Sequence, residues 1–179
     1  MKFIRFICAT VLLVWFLDYD ASGAFAEVVT TKTAVIEVAP TVDTNAYASG
    51  DLIGGKLTLS NATAYTVYSG IISNVVIIDK DKEALDIDVV FFDTNPTATT
   101  FTDNAAFTPN DTDLLNIICT VSITTDVAFA DNGMSYANNV NCPFKTPGTN
   151  TIYAALVARG AGTYTSSSDL LLRVGILQD

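Results

Sequence analysis

Ile71-Ile-Ser-Asn-Val-Val-Ile-Ile78, Asp79-Lys-Asp-Lys-Glu83 and Leu85-Asp-Ile-Asp-Val-Val-Phe-Phe92 follow one another almost without a break, and their reading decides the fold. The first run is rich in β-branched residues, which fit a pleated, buried surface. The last alternates Leu85, Ile87, Val89 and Phe91 with Asp86, Asp88, Val90 and Phe92. A period of two implies a half-buried strand with the aspartate side toward solvent. The charged segment between them has hairpin length and reads as a solvated hairpin tip.

Similar signals recur on both sides, at Thr33-Ala-Val-Ile-Glu-Val38, Leu57–Leu59 with its flanks, Ile117–Ile123, Ile152–Ala158 and Leu170–Leu177. Gly-, Pro-, Asn- and Ser-bearing segments such as Asn138–Asn150 and Gly160–Ser168 separate them. Gly50, Gly54 and Gly55 suit a turn or bulge where a strand begins. One helical turn is expected at Thr108-Pro109-Asn110-Asp111, with Thr108 as cap and Pro109 in the first helical position. No segment has a sustained 3.6-residue period. The expectation is an all-β, antiparallel sandwich or jelly roll of about seven or eight strands.

Residues 1–26 differ from the rest. Lys2 and Arg5 precede an apolar run from Phe3 to Leu17, and Ala24-Phe25-Ala26 ends in small residues. This is the pattern of a secretory signal peptide: basic start, short apolar run, A-x-A cleavage site. A permanent N-terminal anchor is the alternative. Cleavage after Ala26 leaves residues 27–179 as a single domain and implies a secreted, extracellular or cell-surface protein. It removes two cations and two acids, so seven cations face seventeen acids and the net charge stays at −10. Such a surface repels nucleic acid and anionic lipid, so neither is expected as a partner.

Half of the residues are apolar and 16% are charged, so the surface must be built largely from Thr, Ser, Asn and Ala. That composition suits surfaces buried against other copies of the chain. The strand Thr33–Val38 either pairs within its own sheet or is lent to a neighbour's. The apolar strand Leu170–Leu177 must be covered, because an exposed strand of that kind aggregates. Val35, Ile36, Val38, Leu170, Leu172, Val174 and Ile176 are accordingly the candidate subunit contacts.

Catalytic options are few. The chain contains no histidine, which removes the commonest general base, the partner of nucleophilic Ser or Cys, and the commonest zinc ligand. Gly50-Asp-Leu-Ile-Gly54-Gly55 lacks the Lys-Ser/Thr ending of a phosphate loop. Paired carboxylates could serve glycoside hydrolysis, with Asp86 and Asp88 about 7 Å apart on one strand face or Asp103 with Asp111 and Asp113. However, the only Trp, Trp15, lies in the leader. Asp79, Asp81 and Glu83 imitate the start of a calcium loop but lack its sixth-place Gly and closing Glu. The expectation is no enzyme, no cofactor and no metal. Cys119 and Cys142 are the only cysteines after the leader and read as a disulfide, with a buried free thiol as the alternative. Asn61-Ala-Thr63 and Asn110-Asp-Thr112 fit the N-glycosylation pattern.

Tyr47-Ala-Ser-Gly-Asp-Leu-Ile-Gly-Gly-Lys-Leu-Thr-Leu59, Thr99-Thr-Phe-Thr-Asp-Asn-Ala-Ala-Phe107, Leu156-Val-Ala-Arg-Gly160 and Thr163-Tyr-Thr-Ser-Ser-Ser-Asp-Leu170 resemble a family of small tailed-bacteriophage proteins. That resemblance, over roughly residues 35–179, implies a non-enzymatic virion structural or head-accessory role and maps no catalytic residue. A leader does not suit a virion protein that assembles in the cytoplasm. The reading that reconciles the two is an extracellular homopolymer, a filament or surface appendage whose partner is itself, built by strand donation or edge pairing. A phage virion protein is the first alternative. A monomeric carbohydrate-binding or adhesive module, with glycans as partner, is the second, and would use Tyr47, Tyr65, Tyr68, Tyr136, Tyr153 or Tyr164.

Overall fold

The computed structural model describes residues 32–124 and 126–179. The proposed leader and cleavage site lie outside them. Nine strands and one helical turn follow in the order β1 (Lys32–Val38), β2 (Leu52–Leu59), β3 (Ser69–Asp79), β4 (Ile87–Phe92), α1 (Asp111–Leu114), β5 (Ile117–Ile123), β6 (Asp126–Ala128), β7 (Gly133–Lys145), β8 (Ile152–Ala158) and β9 (Leu170–Gln178). They form two antiparallel sheets, β1-β9-β3-β7-β6 and β2-β8-β4-β5. Among the described residues pairing runs from the outermost strands inward: β1 with β9, β2 with β8, β3 with β7, β4 with β5. Successive pairs fall in alternate sheets, as if one long hairpin had been rolled up, which is the connectivity of a jelly roll.

The hairpin expected between Ile71–Ile78 and Leu85–Phe92 is therefore absent. β3 pairs with β7 and β9, whereas β4 pairs with β5 and β8. The charged connection crosses from one sheet to the other. It does so because its carboxylates are spent on local and loop amides. Asp79, 4% exposed, accepts hydrogen bonds from the Asp81 and Ala84 amides. Asp81 and Glu83 accept from the Thr165 and Thr163 amides of the β8–β9 connection.

The core between the sheets is set by parity within each strand. Ile72, Val75 and Ile77 of β3 and Leu170, Leu172, Val174 and Ile176 of β9 all point inward. A bulge at Ser73–Asn74 shifts the β3 phase, so Ile72 and Val75, three residues apart, face the same way. Cys119 of β5 and Cys142 of β7 join the two sheets by a disulfide. Closing its loop of 23 residues stabilises the fold by roughly 3 kcal/mol in the chain-entropy model.

The outer faces of the two sheets differ. On the four-stranded sheet, the aspartate side of β4 is only partly solvent-facing, because Val90 and Phe92 are buried. They join Leu52, Ala155 and Val157 beneath Phe101 and Phe107 of the β4–β5 connection, residues 93–116. This cover also pairs with the start of β2: the Leu52 amide donates to the Ala105 carbonyl, and the Asn104 amide to the Leu52 carbonyl. On the five-stranded sheet no described segment lies over the outer face. Register places Glu37, Arg173, Val76 and Tyr136 in one row across it, and Leu171, Ile78, Met134 and Val127 in the next.

Candidate functional site

At one end of the sandwich the β1–β2, β3–β4 and β8–β9 connections meet. The Val42 and Tyr47 amides donate to the Ser167 and Gly162 carbonyls, and Lys80 Nζ to the Ser168 carbonyl. Tyr47 and Tyr164 are buried there edge to face, with ring centroids 6.0 Å apart. Tyr47 Oη donates to Asp103 Oδ1 at 2.8 Å and accepts from the Asp43 amide at 2.6 Å. The same Asp103 oxygen accepts from the Gly54 amide, so the cover on the four-stranded sheet is anchored to this end. Burial first, then the Asp103 carboxylate, raises the Tyr47 phenol well above its ordinary pKa. Burial, followed by the charge of Asp79, does the same to Tyr164. Both phenols are thus held protonated, which suits a structural plug and not a nucleophile or base.

Of the carboxylates considered for glycoside hydrolysis, Asp88, Asp103 and Asp113 are engaged by other groups. Asp88 is paired with Arg159 Nε at 2.7 Å, while the Asp86 backbone carbonyl accepts from the Arg159 amide. Asp113 is 3% exposed and takes hydrogen bonds from the Ala98 and Thr99 amides and the Thr99 hydroxyl. The Thr99 hydroxyl leads the set of donors that hold its pKa below the usual carboxylate value. Asp103 is engaged as above. Asp111 borders an open groove of about 530 Å³ in the cover, whose other lining residues, among them Leu52, Thr100, Thr102 and Thr108, carry no ionisable group. Among the described residues no three His, Cys, Asp or Glu side chains are placed to hold a metal ion.

The helical turn lies two to three residues beyond its expected place. Asn110, not Thr108, caps it, its side-chain oxygen accepting from the Thr112 amide. The buried Asp113 carboxylate fixes that register by holding the turn to Thr99. Of the two glycosylation triplets, Asn110 and Thr112 are exposed. Asn61 is also exposed and accepts from Asn150 Nδ2, but its companion Thr63 is 3% exposed.

The tyrosines do not gather into a sugar platform. Tyr47 and Tyr164 are buried, Tyr65 is 71% exposed in the β2–β3 connection, Tyr136 is on the five-stranded face, and Tyr153 sits on the other beside Lys56. Tyr68 is half-buried at the start of β3.

The subunit-contact candidates differ in exposure. Val35 is 61% exposed at the middle of edge strand β1. Ile36 and Val38 pack on the core, and Leu170, Leu172, Val174 and Ile176 are at most 1% exposed within it. The four β9 side chains are closed to a neighbour while the sandwich is intact, whereas Ile36 and Val38 are half-buried on the edge strand. The outward residues of the same strand are Leu171, Arg173 and Leu177, which sequence reasoning passed over. Arg173 was the signal that marks this parity as the outward one, against the wholly apolar Leu170, Leu172, Val174 and Ile176.

No family model and no curated protein matches the chain. A solved structure from Desmodium yellow mottle tymovirus is similar with 14% identity and a TM-score of 0.25, over 99% of this chain and 95% of that one. This neighbour is from a plant virus and not from a tailed phage, and so loose a superposition bears no functional weight.

Proposed function

We propose that this chain is a non-enzymatic structural subunit that assembles with copies of itself. The observation that carries the reading is how the ionisable groups of the connections are used. The Asp81, Glu83, Asp103 and Asp113 carboxylates each accept hydrogen bonds that hold one segment of the molecule to another, and Asp79 braces its own connection. Chemistry at a site needs groups left free to change state, and these serve as struts. Jelly rolls occur in shells, lectins and other binding proteins, so the fold alone selects none of these.

Side-by-side packing of intact sandwiches, as in a virion-type shell, is favoured over strand donation. β1 pairs with β9 of its own chain at seven positions, so donating it to a neighbour would first break that pairing. An exported filament is the second reading. Phe129, 53% exposed beside β6, and Tyr65 and Val67, 71% and 45% exposed, lie at opposite ends of the sandwich and would suit head-to-tail stacking. Export itself rests on residues 1–26 and on the disulfide, which belongs to an oxidising compartment. Electron microscopy of the purified protein over a range of concentrations tests the reading. Shells or sheets support lateral packing and filaments the second reading, whereas dispersed single particles throughout overturn self-assembly.

A further inference from the structure

We infer that the outer face of β1-β9-β3-β7-β6 is an interface that docks the same face of a second copy, sheet against sheet. This rests on the structural-subunit reading and names the surface it uses. An antiparallel sheet facing water ordinarily places polar residues on its outer side. Here Ile71, Val76, Ile78, Met134, Leu171 and Leu177 stand there, only half-buried and with no described segment over them. The other sheet shows what such a face requires: its outer apolar residues are roofed by residues 93–116 of the same chain.

Area and charge select the occupant. Five strands at about 4.8 Å spacing and about eight residues at about 3.3 Å rise make a face of roughly 600 Å² per copy. Two such faces bury about 1,200 Å² together, the lower bound of a specific protein interface. In its central rows the only charges are Arg173 and Glu37, paired at 2.6 Å, so that part of the face is neutral although the chain carries −10; the exposed Lys145 stands at the far end of β7. Its twin is one surface that presents equal area, equal apolarity and no unbalanced charge in those central rows. An anionic membrane would be repelled by the rest of the molecule.

The test uses the full chain and two variants, Val76→Lys and Ile78→Lys, each placing a charge on the outer side of a strand without touching the core. Sedimentation equilibrium is expected to show self-association of the parent chain and association on the order of a hundredfold weaker in each variant, with a native circular-dichroism spectrum and cooperative unfolding retained in both. If the parent associates and both folded variants associate equally well, this face is not the interface, while the structural-subunit reading survives through another surface. A parent that stays monomeric at every concentration overturns both. Benzoylphenylalanine in place of Tyr136 identifies the occupant by photocrosslinking and mass spectrometry. Crosslinks to this face of a second chain are expected, and crosslinks confined to residues 1–31 of the same chain, or to lipid from added neutral vesicles, overturn the proposal.

Discussion

The two outer faces of this sandwich are built from similar residues and meet opposite fates. On the four-stranded sheet, Val90, Phe92, Ala155 and Val157 are roofed by Phe101 and Phe107 from residues 93–116. On the five-stranded sheet, Ile71, Val76, Ile78, Leu171 and Leu177 have no roof among the described residues. Apolar residues on an outer face therefore do not themselves define a core. What matters is whether the same chain returns to cover them, and that distinction separates residues that hold the fold from residues free to hold a neighbour.

The largest effect expected follows directly. Phe92 is fully buried and meets the Phe101 ring edge to face at 6.3 Å. Phe92→Ala should cost about 3–5 kcal/mol of unfolding free energy in urea titration. Val76→Ala, at dilutions where the protein is monomeric, should stay within about 0.5 kcal/mol. Equal losses at the two positions would erase the contrast between the faces.

The disulfide is a control that ignores which face is covered, because Cys119–Cys142 ties the sheets through the core. Its reduction should lower stability by roughly 3 kcal/mol. Hydrogen exchange should then report faster opening in both sheets. A loss confined to one sheet would mean that the two do not unfold together.

Gly54→Ala probes the attachment of the cover. Gly54 has φ +70°, and an added Cβ would stand 2.3 Å from Pro40 Cβ, while its amide donates to Asp103 of the cover. Backbone strain of about 1–3 kcal/mol is expected, with amides of residues 99–107 losing protection before those of β3 and β9. Simultaneous loss everywhere would show that cover and sandwich form one cooperative unit.

Sequence made the fold class legible because strand periodicity is local: β5 and β8 were readable to the residue. β7 was not, since Asn138, Asn139, Asn141 and Pro143 signal a loop. Asn139 and Asn141 do take positive φ of 56° and 51°, yet the strand stays paired across them. Asparagine tolerates that conformation at little cost, so a bulge and a turn look alike in sequence. The charged segment 79–83 failed for a different reason. Its composition fits a hairpin tip, and only the distant β8–β9 connection makes it a crossover. The roof over β4 left one readable trace, Phe101 and Phe107 in an otherwise polar stretch, matched by Val90 and Phe92 where solvent-facing residues were expected. The two sides of β9 left a fainter trace: Arg173 and Gly175 mark the outward parity, against Leu170, Leu172, Val174 and Ile176 on the inward one.

Acid sets the smallest and most local test. Asp113 lies in the cover, and its pKa is lowered chiefly by the Thr99 hydroxyl and then, against the opposing effect of burial, by the Thr99 and Ala98 amides. A carboxyl with a depressed folded pKa stabilises the fold fully above its unfolded value of about 3.9, and that contribution disappears as pH falls through the lower folded value. Acidification in that window should therefore raise the exchange rate of the Ala98 and Thr99 amides relative to Val75 and Val174 on the bare-faced sheet. Asp113→Asn should reduce their protection at neutral pH and abolish its acid dependence. Parallel loss in β3 and β9 would place the acid-sensitive group elsewhere, and the roofed face would then be no more pH-dependent than the open one.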